Sequence, residues 1–138
     1  MSKIFLDSNV VVYANDEREP AKQARARERI AQAMRERTGV VSTQVLQEYA
    51  VVALSKLHQD PNAVLRNLLL LESFEIIQLT PALIRRGVEL HLQYRIDFWD
   101  ASILAAAELA RCERLLSEDL NAGQVYAGVR VENPFAPA

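Results

Sequence analysis

Apolar residues recur along this chain in two rhythms. Short runs stand at Ile4-Phe5-Leu6, Val40-Val41, Ile76-Ile77 and Leu115-Leu116. Each is too short for a helix and closes on polar or turn-forming residues, so each reads as a buried strand. Between them lie longer stretches with apolar positions three and four apart, the helical period. The pattern predicts a strand ending at Leu6, a short helical turn over Val10–Ala14 capped by Ser8 or Asn9, and a loop at Asn15-Asp16-Glu17. A helix follows from Pro20 to about Arg37, with Pro in its first turn, sparse apolar positions (Ala24, Ile30, Ala31, Met34) and Gly39 at its C-terminal end. Then come a strand over Val40–Thr43 and helices over Thr43–His58 and Pro61–Glu72. A strand over Phe74–Leu79 precedes a helix from Pro81 to about Arg95, capped by Thr80. Asp97 caps the next helix, Phe98–Cys112. Arg114–Ser117 reads as the fourth strand and Val129–Val131 as a fifth, before a proline-containing tail.

Short apolar strands alternating with helices define an α/β chain with a parallel sheet covered on both faces. The expected architecture is a three-layer α/β/α sandwich around a short, mostly parallel twisted sheet. With 138 residues and no repeat, linker or low-complexity tract, residues 1–138 are expected to form a single domain.

Composition narrows the function. Half the residues are apolar and a quarter charged, as in globular proteins. No apolar run approaches the roughly 20 residues of a membrane span. One Lys and a three-residue apolar run at the start do not make a signal peptide, and the lone Cys112 excludes a disulfide framework. Together these predict a cytoplasmic protein without membrane attachment. A net charge of −2 argues against broad, non-specific nucleic-acid binding, so any basic surface is local. One candidate is the Pro20–Arg37 helix: between Arg18 and Arg37, basic residues outnumber acidic ones seven to three. The plain alternative is a solvated face with scattered charge pairs.

The informative residues are acids. Asp7 ends a buried strand, where desolvating a carboxylate is costly unless a cation or several donors compensate. Asp119 follows another strand; alone, it reads as well as a turn residue. Glu48, in the second turn of a helix that begins at a strand end, flanks the Val45/Tyr49/Val52 stripe, and an ordinary boundary Glu would look the same. Asp100 is more telling. Ile103, Leu104 and Ala107 lie three, four and seven residues beyond it, so it heads the apolar stripe of its own helix. Asp97 suits the positive end of the helix dipole; Asp100, facing inward, suits it poorly. In open parallel sheets, ligands bind outside the carboxyl ends of the strands, where these acids are expected to meet. Clustered carboxylates repel unless a cation joins them, and an all-oxygen set suits Mg2+ or Mn2+ rather than zinc. Such a site can activate water and brace a phosphodiester for displacement. His58 and His91 sit in no nucleophile motif, Cys112 reads as a small core residue, and four isolated glycines exclude phosphate-loop fingerprints.

Leu6-Asp7-Ser8-Asn9, Glu48, Phe98-Trp99-Asp100-Ala101 and Leu116-Ser117-Glu118-Asp119-Leu120, in this order over nearly the whole chain, resemble the PIN domain. Within that family they are most similar to the VapC-type toxins of bacterial type II toxin–antitoxin modules. The resemblance implies a PIN-like fold and an endoribonuclease dependent on Mg2+ or Mn2+. It assigns Asp7, Glu48, Asp100 and Asp119 as catalytic and metal-holding acids. Asp7 and Asp100 are the principal ligands; Glu48 and Asp119 complete the pocket, partly through water. Asn9 and Ser117 match supporting positions, and Ser8 stands where the family usually has Thr. Asp97 and Glu118 match none of the family's acids. The resemblance also implies an RNA substrate, a cognate antitoxin protein and a homodimer. Two other readings stay open: a solitary PIN-type nuclease of RNA processing or DNA cleavage, and a degenerate PIN domain that only binds a partner.

Overall fold

The computed structural model describes residues 2–137. The elements run β1 (Ile4–Leu6), α1 (Ser8–Ala14), α2 (Pro20–Glu36), β2 (Gly39–Ser42), α3 (Thr43–Ser55), α4 (Pro61–Leu71), β3 (Glu75–Ile77), α5 (Pro81–Tyr94), α6 (Phe98–Leu109), β4 (Arg114–Leu116), β5 (Val125–Tyr126) and β6 (Val129–Glu132). The strands form one sheet in the order β3-β2-β1-β4-β6-β5. All neighbours are parallel except β5 and β6, and the expected α/β/α sandwich is the fold observed. β1 is central: Phe5 lies opposite Val40 of β2 on one side and Leu115 of β4 on the other. Its three residues are all buried, which is why it is a continuous apolar run instead of an alternating one.

Helix α1 packs on both α2 and α3, and α3 on α4, while α5 and α6 form a closely packed pair, with α6 against β2, β4 and β6. The alanine-rich α6 is buried from Ala101 to Ala107. Small side chains let it sit close to the sheet, and that holds Asp100, at its start, near the strand ends. None of the described helices is long and apolar enough to cross a membrane.

Four local expectations change. The cap of α1 is Asp7 itself, whose side chain accepts from the Ser8 amide, rather than Ser8 or Asn9. The left-handed residue ending α2 is Arg37, not Gly39. Gly39 instead begins β2, where a Cβ would stand 2.4 Å from the Phe74 ring; the glycine is there for close packing. The α2 face turned inward carries Ala26, Ala33, Ile30 and Met34, and Ala24 is exposed. Finally, the terminal strand belongs to a hairpin. Ala127 and Gly128 both have positive φ, 50° and 81°, giving the tight turn between β5 and β6. Ala is a poor sequence signal for such a turn; here its N–H donates to the Tyr94 hydroxyl at 2.8 Å, a tertiary contact that offsets the strain.

The basic α2 is largely occupied within the chain. Arg29 pairs with Glu132, and Arg27 donates to the Ala14 carbonyl at 2.8 Å. Lys22 donates to Glu118 at 3.1 Å and to the Tyr13 hydroxyl at 3.2 Å. Tyr13 in turn donates to Glu118 at 2.7 Å, so α1, α2 and the segment after β4 are clamped together.

Candidate active site

The strand order reverses direction at β1: β2 and β3 lie on one side, β4 and β6 on the other. The connections leaving the carboxyl ends of β1 and β4 diverge there and open a crevice. Asp7 is the residue after β1, and its N–H donates to the Leu116 carbonyl at 3.1 Å, tying it to the end of β4. Ser117 and Asp119 continue from β4 into the same crevice.

Asp7 is almost fully buried, 3% exposed. Its Oδ1 accepts from the Ser8 amide at 2.7 Å and its Oδ2 from the Ser117 hydroxyl at 2.7 Å. The Asn9 amide group reaches Asp7 Oδ2 at 3.5 Å and Asp119 Oδ2 at 3.1 Å, bridging the two acids. Ser117 Oγ also accepts from the Asp119 N–H at 3.1 Å, so one hydroxyl positions both carboxylates. Asp100, half-buried in the first turn of α6, completes the group: one carboxylate oxygen each from Asp7, Asp100 and Asp119 lie within 4.8 Å of one another. Glu48 is not one of these three. It stands beside them on α3, where Gln44 Nε2 donates to its Oε1 at 3.3 Å and to the Trp99 carbonyl at 3.2 Å. Sequence reasoning passed over Gln44; its place four residues before Glu48 on one helix face was the available signal.

The electrostatics match this crowding. Burial pushes the Asp7 carboxyl up to about 7 against the lowering pull of the Ser117 and Ser8 hydrogen bonds; the charges of Asp119 and Glu48 raise it further. Asp100 is raised to about 6, first by burial and then by Asp119, Asp97 and Glu48. Glu48 is raised by burial and by Asp119, while bonds from Gln44 and Ser8 work against the shift. Among the described residues, no Lys or Arg pairs with any of the four acids. Asn9 Oδ1 is buried without a donor. A pocket of carboxylate oxygens with no cationic side chain paired to them is the donor set a hard divalent cation requires. Asp97 accepts from the Trp99 amide at 3.1 Å as the cap of α6, and Glu118 is held by Tyr13 and Lys22. Neither enters the cluster.

A short parallel sheet reversing at β1, with acids from β1, α6 and the segment after β4 in one crevice, is the arrangement of a PIN domain. The PIN-domain family model matches residues 4–127, and the chain belongs to that family. Among solved structures, it is similar to a toxin–antitoxin complex from Klebsiella pneumoniae, at 27% identity over 96% of this chain and 98% of that one, with a TM-score of 0.66. The DNA-bound VapBC of Salmonella typhimurium shares 18% identity over 97% and 99%, with a TM-score of 0.65. VapC20 of Mycobacterium tuberculosis, a sarcin-ricin loop cleaving toxin, shares 14% over 85% and 92%, with a TM-score of 0.62. The structural neighbours are thus VapC and VapBC proteins. No curated protein matches the sequence.

Proposed function

We propose that this chain is the toxin of a toxin–antitoxin module and acts as a metal-dependent endoribonuclease, with residues 1–138 forming one nuclease domain. The observation that carries this is the convergence of Asp7, Asp100 and Asp119 oxygens within 4.8 Å with no cationic side chain among them. Asp7 and Asp100 would be the principal holders of Mg2+ or Mn2+, with Asp119 and Glu48 completing the site. When bound, such an ion supplies Lewis-acid activation of water and of the phosphodiester. The chain's own residues do the rest. Ser117 and the Ser8 amide aim Asp7, and Asn9 keeps Asp119 beside it. Gln44 holds Glu48 toward the crevice, and the four acids repel the substrate backbone until their charge is neutralised. That repulsion makes cleavage conditional on the ion.

Toxin identity is supported by membership of the PIN family and by likeness to the Klebsiella toxin–antitoxin complex. A small cognate antitoxin protein, a homodimer and a cytoplasmic setting belong to the same reading. The decisive experiment compares wild type with Asp7→Asn and Asp100→Asn on single-stranded RNA and DNA of one sequence, with and without Mg2+ or Mn2+. RNA cleavage only by wild type, and only with metal, is expected. Full activity of either variant, or cleavage in EDTA, refutes the mechanism; preference for DNA refutes the substrate.

A further inference from the structure

Next to the acids lies a second cleft that the proposed chemistry does not use. It is an open groove of about 380 Å3 lined by Gln44, Gln47, Glu48, Val51 and Trp99. Trp99 is 62% exposed although it directly precedes Asp100. Exposing an indole is costly, and one standing at a candidate catalytic centre calls for an occupant. The residue is anchored through its backbone, and its ring has one aromatic neighbour. Its backbone carbonyl takes the Gln44 bond at 3.2 Å, its amide caps onto Asp97, and Phe98 meets it edge-to-face at 5.5 Å between centroids.

We infer that Trp99 is a stacking platform for a nucleobase adjoining the phosphodiester cleaved at the acids, an inference that rests on the ribonuclease reading above. The groove shares Glu48 and its partner Gln44 with the acidic pocket, so a strand with its phosphate at Asp7 and Asp100 has its neighbouring nucleotide within reach. The lining has the chemistry of a base site. Trp99 and Val51 offer apolar surface, and Gln47, whose side chain makes no hydrogen bond among the described residues, offers a free amide. Base–aromatic stacking contributes through the π-face and amides pair with base edges. An apolar protein surface laid there would strand the Gln47 amide without a partner and desolvate the Glu48 carboxylate further.

Trp99 is the only tryptophan in the chain, so intrinsic fluorescence reads this ring alone. The full chain, with Ca2+ in place of Mg2+, is titrated with octaadenylate and with an abasic ribose-phosphate octamer. Saturable quenching by octaadenylate only is expected. In steady-state cleavage, Trp99→Ala should raise KM roughly 5- to 150-fold, the range a lost stacked base implies. Its kcat should stay close to wild type, and Trp99→Phe should restore most of the KM. Equal response to both oligomers, no response, or an unchanged KM overturns the inference. So does an emission shift on raising protein concentration without RNA, which would place a second copy over the ring. Metal-dependent cleavage by Trp99→Ala at saturating RNA would leave the nuclease reading standing if stacking failed, whereas loss of the Asp7 and Asp100 dependence would remove that reading itself.

Discussion

Asp7→Asn separates the functional cost of the acidic cluster from its structural cost. In the metal-free fold the Asp7 carboxyl is raised from 3.8 to about 7. The native state therefore binds a proton that the unfolded chain releases above pH 4. Stability from this group is greatest below pH 4 and is lost as pH rises through 7. A shift of that size corresponds to at most about 4 kcal/mol for this almost fully buried group. Asn is neutral at every pH, and its carbonyl can still accept from the Ser8 amide, so the cap survives. Thermal unfolding followed in EDTA from pH 5 to pH 8.5 should show wild type losing more stability across the window than Asp7→Asn, which keeps only the shallower slope due to Asp100 and Glu48. At pH 8 the variant should melt higher; a chain of this length moves roughly 3–5 °C per kcal/mol. Adding Mg2+ or Mn2+ at pH 8 should raise the wild-type midpoint by more than the variant's, since the variant has lost one of the charges that a cation offsets. Parallel pH profiles for the two proteins, or an equal metal response, would refute the argument that uncompensated charge defines this pocket.

Two further outcomes follow from single contacts. Ser117→Ala removes the hydroxyl shared by Asp7 and the Asp119 amide; it should cost about 1–3 kcal/mol in urea unfolding and move the rising limb of the pH–rate profile upward, because Asp7 loses a bond that favours its charged form. Gly39→Ala places a methyl 2.4 Å from the Phe74 ring; it should lower stability by about 1–3 kcal/mol by calorimetry while leaving metal response intact, because the clash lies at the amino ends of the strands and the acids at their carboxyl ends.

Much of this protein was legible along the chain because its signals are local. Period and run length marked the strands β1 to β4 and all six helices, and Thr80 and Asp97 cap helices as their positions suggest. Asp7 and Asp100 stood out because each puts a charge where its own element turns inward. Asp119 and Glu48 carried no such mark, and either could have been an ordinary surface acid. The relation of Asp119 to Asp7 depends on β4 lying beside β1 on the side away from β2, and that of Glu48 on β2 lying along the other side of β1. Strand order is a property of how the layers pack, so no short window of sequence contains it. The arginines of α2 mislead for the same reason: a basic stretch looks free until Glu132 and the Ala14 carbonyl, distant in sequence, are found against it. The β5–β6 turn escaped notice because Ala127 takes a left-handed conformation only with Tyr94 as its partner. Local pattern thus determined which segments are helix, which are strand, and which acids are out of place. Tertiary packing decided which charges share a pocket and which cancel, because electrostatic energy depends on distance through space and burial, and neither is set by separation along the chain.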